Sequence, residues 1–367
     1  MPLDAADLDI PMRSAWLLLG MAGLVLLAIS AAWALAIERA WGGRPVIPTR
    51  PGRPVPWGGP QVFASFFLWQ FATLVAASLL RARRGPDAEP KLVEAMGAVA
   101  LINLLVLIAL PGLLGLWNRA RASDFGLSGG GGRIGRDVLL GVVSAVFCLP
   151  LVYSVQFMAI LIWPPTAHPL QEMLFEERSP WVMVLAFVSA VIFAPAAEEL
   201  LFRGILQGWL EKRFGVTRTA IAEDRETDRD SIDLQPGLDP GVASLTALVV
   251  PAAIFALVHF GQWPAPLPLF VLAIALGLLY RRTKSIVAPI AAHATFNGLS
   301  TVGMIVLVLI LPEAEPEAVP VPGPAEPGIS APGEGEAEET SGPPQAGESG
   351  HSEARSIRRS HPNVESV

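Results

Sequence analysis

Long apolar runs, separated by short polar or Pro/Gly-rich breaks, occupy the chain as far as about residue 311. Eight of these runs approach or exceed the ~20 residues that an α-helix needs to cross a bilayer. They fall at 15–37, 61–80, 95–117, 138–163, 181–210, 242–260, 266–280 and 286–311. The pattern predicts an all-α, polytopic membrane protein with about eight transmembrane helices and an active site inside the helical bundle. The seventh run is short, which predicts a tilted or partly buried helix. The fifth is too long for one straight span, so it must kink or continue past the interface. Pro195 supplies a kink position there, because proline removes one helical hydrogen bond.

The polar breaks read as connectors. Residues 42–60 are rich in Pro, Gly and Arg and predict an irregular loop. Four consecutive glycines at 129–132 read as a flexible connector; no Lys-Ser/Thr follows and no strand precedes, so a phosphate-cradling loop is not supported. Residues 222–241 form a hydrophilic insert, and 312–367 form a Pro/Glu/Gly-rich tail expected to be disordered. No internal repeat is visible.

Composition agrees with a membrane protein. The chain of 367 residues is 52% hydrophobic and 16% charged, with a mean hydropathy of +0.49. The net charge of −7 is misleading, since residues 312–367 hold 11 Glu and 3 Arg while the rest is close to neutral. Nothing in this distribution suggests nucleic-acid binding. Cys148 is the single cysteine, which excludes an internal disulfide. The first apolar run ends in Glu38-Arg39 without a cleavage pattern and reads as a retained span. Sixteen Lys and Arg residues lie in the connectors after runs one, three, five and seven, against nine on the opposite side. The positive-inside rule therefore puts those four connectors in the cytoplasm and both termini outside.

Against this apolar background the charged residues stand out. Between Trp181 and Leu210 only Glu198, Glu199 and Arg203 are charged, and charge at membrane depth is costly unless paired or used. Glu199 and Arg203 are four apart with the acid N-terminal, the favourable order for a helical ion pair. Glu198 points about 100° away and lacks that partner. A carboxylate without a local partner in an apolar setting suits a general acid or base. Two of the five histidines, His259 and His293, lie inside apolar runs. Phe255 stands one turn before His259, where its ring can keep the imidazole dry. His293 and Asn297 share one helix face, and together they offer two donors of the kind an oxyanion requires. Glu198, His259 and His293 also form a two-histidine, one-carboxylate set compatible with zinc, although no His-Glu-x-x-His motif exists. Residue types alone leave both the metal-free and the zinc form open, with the metal-free form favoured.

The ordered series Glu198-Glu199-x-x-x-Arg203, Phe255-x-x-x-His259 and His293-x-x-x-Asn297 resembles the CPBP family. This family comprises the type II CAAX prenyl endopeptidases and their bacterial relatives, the Abi proteins. The resemblance covers about 179–310; the first four runs match only as generic membrane helices. It implies an intramembrane protease that hydrolyses peptide bonds with glutamate-activated water and no cofactor, with the metalloprotease form using zinc as the alternative. By this resemblance Glu198 is the general base assisted by His259, His293 and Asn297 stabilise the oxyanion, and Glu199 and Arg203 brace the site or orient substrate. It divides the chain into N-terminal membrane helices at 1–128, a catalytic membrane core at 129–311 carrying the insert, and the acidic tail at 312–367. The implied partners are a membrane protein or peptide substrate and the lipid bilayer. The Arg/Ala/Gly/Pro-rich composition points to a high-GC bacterial genome and hence to the bacterial cytoplasmic membrane. A catalytically silent immunity or scaffold protein, and a proton-coupled transporter, are the competing readings.

Overall fold

The computed structural model describes residues 12–47, 49–52, 54–84, 91–127, 131–164, 169–216 and 239–310. Most of the hydrophilic insert, the acidic tail, His168, His351 and His361 lie outside these residues. Among the described residues the structure is helical, with no strand. Helices α1 (Met12–Trp41), α2 (Gly59–Arg84), α3 (Leu92–Asn118) and α4 (Gly131–Ile162) are followed by the short α5 (Pro169–Glu176). The series continues with α6 (Pro180–Arg213), α7 (Pro240–Leu257), α8 (Pro266–Thr283) and α9 (Val287–Ile310). All but α5 are long and apolar enough to span a membrane, giving the eight spans anticipated from the hydropathy pattern. Gly131 and Gly132, read from sequence as part of a connector, instead open α4.

Helix boundaries follow local chemistry. Ser179 caps α6 by accepting from the Val182 N–H, and Asp239 caps α7 by accepting from Gly241 and Val242; each is followed by a proline, whose missing N–H costs nothing in the first turn. Lys284 ends α8 in the left-handed conformation, with its N–H on the Tyr280 carbonyl. Gly126 has φ +72, and a Cβ there would fall 2.6 Å from the Ser285 Cα. Only glycine allows the connector after α3 to press so closely against the connector after α8.

The connectors that follow α1, α3, α6 and α8 meet at one end of the bundle. The Arg50 N–H donates to the Arg282 carbonyl, and Lys212 Nζ donates to the Trp57 carbonyl. The loop at 42–58 is not merely surface. Val55 and Trp57 are buried, and Trp57 stacks on Phe125 while its Nε1–H donates to the Ile205 carbonyl at 3.0 Å. Trp57→Ala is expected to remove about 3–5 kcal/mol of stability, the usual loss for a truncated core aromatic. Thermal unfolding in detergent would check this, and an unchanged midpoint would show that the loop does not hold the bundle.

The outer faces of α1 and α2 carry exposed apolar side chains such as Leu24, Leu27, Phe63 and Leu74. That is the surface a bilayer requires. Around α6 the packing is denser, with Phe202 meeting Phe66, Trp69 and Phe255 edge to face.

Candidate active site

Helix α6 carries the acidic doublet in a specific backbone setting. It runs without a break, but Val188–Phe193 and Leu200–Gln207 are π-helical, flanking a six-residue α-helical piece, Ala194–Glu199. Proline explains the first widening. Pro195 has no N–H, and its ring would strike the carbonyl four residues earlier in a regular helix. In the widened register the Ala194 N–H reaches back to Ser189 O. The next carbonyl, Ala190 O, would then need the N–H of residue 195, which does not exist. Asn297 of α9 supplies the missing donor, its Nδ2 lying 2.9 Å from Ala190 O. The sequence expectation of a kink at Pro195 thus takes the form of a π segment, a feature frequent at functional sites.

The doublet divides as the helical spacing implied. Glu199 is fully buried, and its Oε1 accepts from Arg203 Nη1 at 3.0 Å. Arg203, equally buried, also donates from Nη2 to the Ala273 carbonyl of α8 (3.1 Å), and its guanidinium stands 4.9 Å from the centre of the Phe255 ring. Glu198 is turned elsewhere, with a side chain 15% exposed.

His293 bridges the two acids. Its Nδ1 is 2.9 Å from Glu199 Oε1, and its Nε2 is 3.8 Å from Glu198 Oε2. Because a carboxylate only accepts, Nδ1 carries the hydrogen, and in the neutral ring Nε2 presents a lone pair toward Glu198. Glu199 Oε2 is buried and accepts no hydrogen bond. His259 lies just past the end of α7. Its Nδ1 is 2.8 Å from the Phe255 carbonyl, which fixes the hydrogen there and leaves Nε2 for other work. Both imidazoles pack on one ring, with centroid distances from Phe255 of 5.0 Å to His259 and 5.7 Å to His293. The three motifs, from three helices, therefore meet around Phe255.

Among the described residues, no group of three His, Cys, Asp or Glu side chains is arranged to hold a metal ion. Within the set of Glu198, His259 and His293, His293 Nε2 faces Glu198 at 3.8 Å, and the bond from His259 Nδ1 to the Phe255 carbonyl leaves its Nε2 open.

Two residues lie outside the motifs picked out from the sequence. Gln207 and Glu211 continue the four-residue spacing of Glu199 and Arg203, and all four are buried. Gln207 Nε2 donates to the Gly277 carbonyl at 2.9 Å and to Glu211 Oε1 at 3.1 Å. Glu211 accepts from Arg281 at 3.0 Å and from Lys284 at 2.6 Å. A polar seam thus runs along the α6–α8 interface from the acidic doublet to the cationic connectors. The period of four in polar residues was the available signal.

Eight helices long and apolar enough to span a membrane, three of them bringing two carboxylates, two imidazoles and an arginine around Phe255, define an integral membrane protein with a buried charged cluster. Residues 180–299 match the family model described as type II CAAX prenyl endopeptidase Rce1-like, so this part of the chain is similar to that family. The match contains all seven motif residues, from Glu198 to Asn297. No curated protein and no solved structure gave a significant match.

Proposed function

We propose that the protein is an intramembrane endopeptidase in which Glu198 and His293 together activate water. One observation carries this reading: Glu198 Oε2 and His293 Nε2 are two acceptors facing each other across 3.8 Å. Acceptors so placed need hydrogens between them. A water that donates one O–H to each satisfies both, and its own lone pair then points outward as a nucleophile. Glu199 holds the His293 tautomer that makes this possible, and Arg203 holds Glu199.

Hydrolysis then proceeds in balanced steps. The water oxygen bonds to the scissile carbonyl carbon while Glu198 takes its proton. The carbonyl oxygen gains the negative charge, and Asn297 retains one amide hydrogen, beyond the one given to Ala190 O, to donate to it. The C–N bond breaks as the departing nitrogen takes back the proton held by Glu198, with His259 Nε2 accepting from that nitrogen's N–H, and the carboxylic acid so formed releases its own proton to leave a carboxylate and an amine. The membrane setting restricts the substrate to a membrane-embedded or membrane-associated protein or peptide. The cationic connectors support an orientation with the end of the bundle near Lys284 on the cytoplasmic side, in a bacterial inner membrane.

The catalytic core is assigned to 129–311, with the acidic tail outside it. Catalysis needs no resident metal. Cleavage of a transmembrane-peptide library by the detergent-purified protein is expected to continue after exhaustive chelation, with elemental analysis showing no stoichiometric metal. Loss of cleavage on chelation and recovery with zinc would overturn the metal-free mechanism.

A further inference from the structure

A cavity lies between α1, α4, α8 and α9, away from the acidic doublet. Its volume is about 390 Å³, within the roughly 300–1,000 Å³ of small-molecule sites. Leu35 of α1, Leu139 and Val143 of α4, and Leu276 and Leu279 of α8 line it. Ala292, the neighbour of His293, closes it from α9. The lining extends along α4 from Arg136 to Cys148, about 18 Å at the helical rise.

One end of this apolar shaft is cationic. An adjoining cavity of about 420 Å³ shares Arg39, Val46, Arg136 and Leu140 with it and adds Arg50 and Arg133. Among the described residues, Arg50 alone of these arginines is neutralised, by Asp137 at 2.6 Å. Arg39 donates to the Pro45 carbonyl and Arg136 to the Gly132 carbonyl, while the buried Arg133 Nε has no partner. Among the described residues no carboxylate pairs with Arg39, Arg133 or Arg136. These arginines stand at the ends of α1 and α4, on the side of the bundle where the cationic connectors gather. An apolar shaft with an uncompensated cationic mouth at the interface is complementary to one kind of molecule, an amphiphile with an anionic head.

We propose that this cavity is a specific site for an anionic phospholipid, its acyl chain between α1, α4 and α8 and its phosphate on Arg39, Arg133 and Arg136. Basic pockets between transmembrane helices on the cytoplasmic side hold anionic head groups by the same physics. The site is independent of the reaction carried out at Glu198. Its position behind Ala292 and Leu276 makes it a brace for the two helices that present His293 and the Ala273 and Gly277 carbonyls.

The test uses the full chain, delipidated in detergent and then offered phosphatidylglycerol or phosphatidylcholine. Native mass spectrometry reads the lipid that survives detergent removal. The expected result is one retained phosphatidylglycerol and little phosphatidylcholine. Arg133→Gln with Arg136→Gln should lower phosphatidylglycerol retention about tenfold or more, the scale of two charges near a membrane surface. Ser144→Phe, which fills the shaft, should lower retention while leaving the arginines in place. Equal retention of both lipids would overturn the proposal, since annular lipid shows no such preference. Undiminished retention in the arginine double variant would also overturn it, as would displacement by inorganic phosphate alone, which would mark an anion site without a chain.

Discussion

Glu198→Gln is expected to lower peptide cleavage by roughly 10²–10⁴-fold, the range lost when a positioned general base is removed. Its stability should not change, because Glu198 makes no side-chain hydrogen bond among the described residues, and His293 Nε2 stands 3.8 Å from its Oε2. The substitution is nearly isosteric and keeps the helix intact. What it removes is the group that takes the proton, and it puts an NH2 donor where one carboxylate oxygen could accept. The measurement is cleavage of transmembrane peptides read by mass spectrometry, beside a melting curve in the same detergent. Wild-type cleavage by a folded Glu198→Gln protein would remove Glu198 from the mechanism. The same comparison separates the competing readings, since a silent scaffold would cleave nothing in either form.

The eight spans were legible because an apolar run of membrane length is seldom accommodated anywhere but in a bilayer. The doublet, the arginine and the two histidines were legible for the converse reason, as polar groups in a setting that does not tolerate idle ones. Spacing within a helix also carried over, and the Glu199–Arg203 pair sits where a period of four puts it. The relations between helices were not legible. Sequence alone pairs His259 with Glu198 as its helper and His293 with Asn297 as oxyanion donors. In the structure His293 faces both glutamates, and Asn297 caps a π-helical carbonyl. Such pairings depend on how α9 is rotated against α6, and periodicity within one helix carries no information about that rotation. Pro195 announced a disturbance without its form, because widening to a π segment depends on a donor 102 positions further along the chain to satisfy Ala190 O. Gln207 is uncharged and Glu211 lies one position beyond the apolar run, so neither stands out in the hydropathy pattern. Their four-residue spacing from Arg203 was the one signal, and burial against α8 shows that they extend its seam.

Arg203→Ala is expected to destabilise the protein by about 3–5 kcal/mol, the loss that follows when one partner of a buried pair is removed. Arg203 is 1% exposed and Glu199 0%, so no solvent replaces the lost interaction. The Ala273 carbonyl loses its donor and the Phe255 face loses its cation in the same step. Glu199 would keep only His293, which draws the imidazole away from the geometry set for Glu198. Activity should therefore fall together with stability, whereas Glu198→Gln affects activity alone. A double-mutant cycle sharpens the point. Glu199→Ala combined with Arg203→Ala should cost less than the sum of the two single changes, because each single change strands a buried charge that the double change removes. Melting curves of the four proteins give the coupling directly, and strict additivity would mean that the two side chains do not depend on one another. A coupling of the expected sign makes two adjacent glutamates differ in partner: one held still by an arginine, the other left free to meet water.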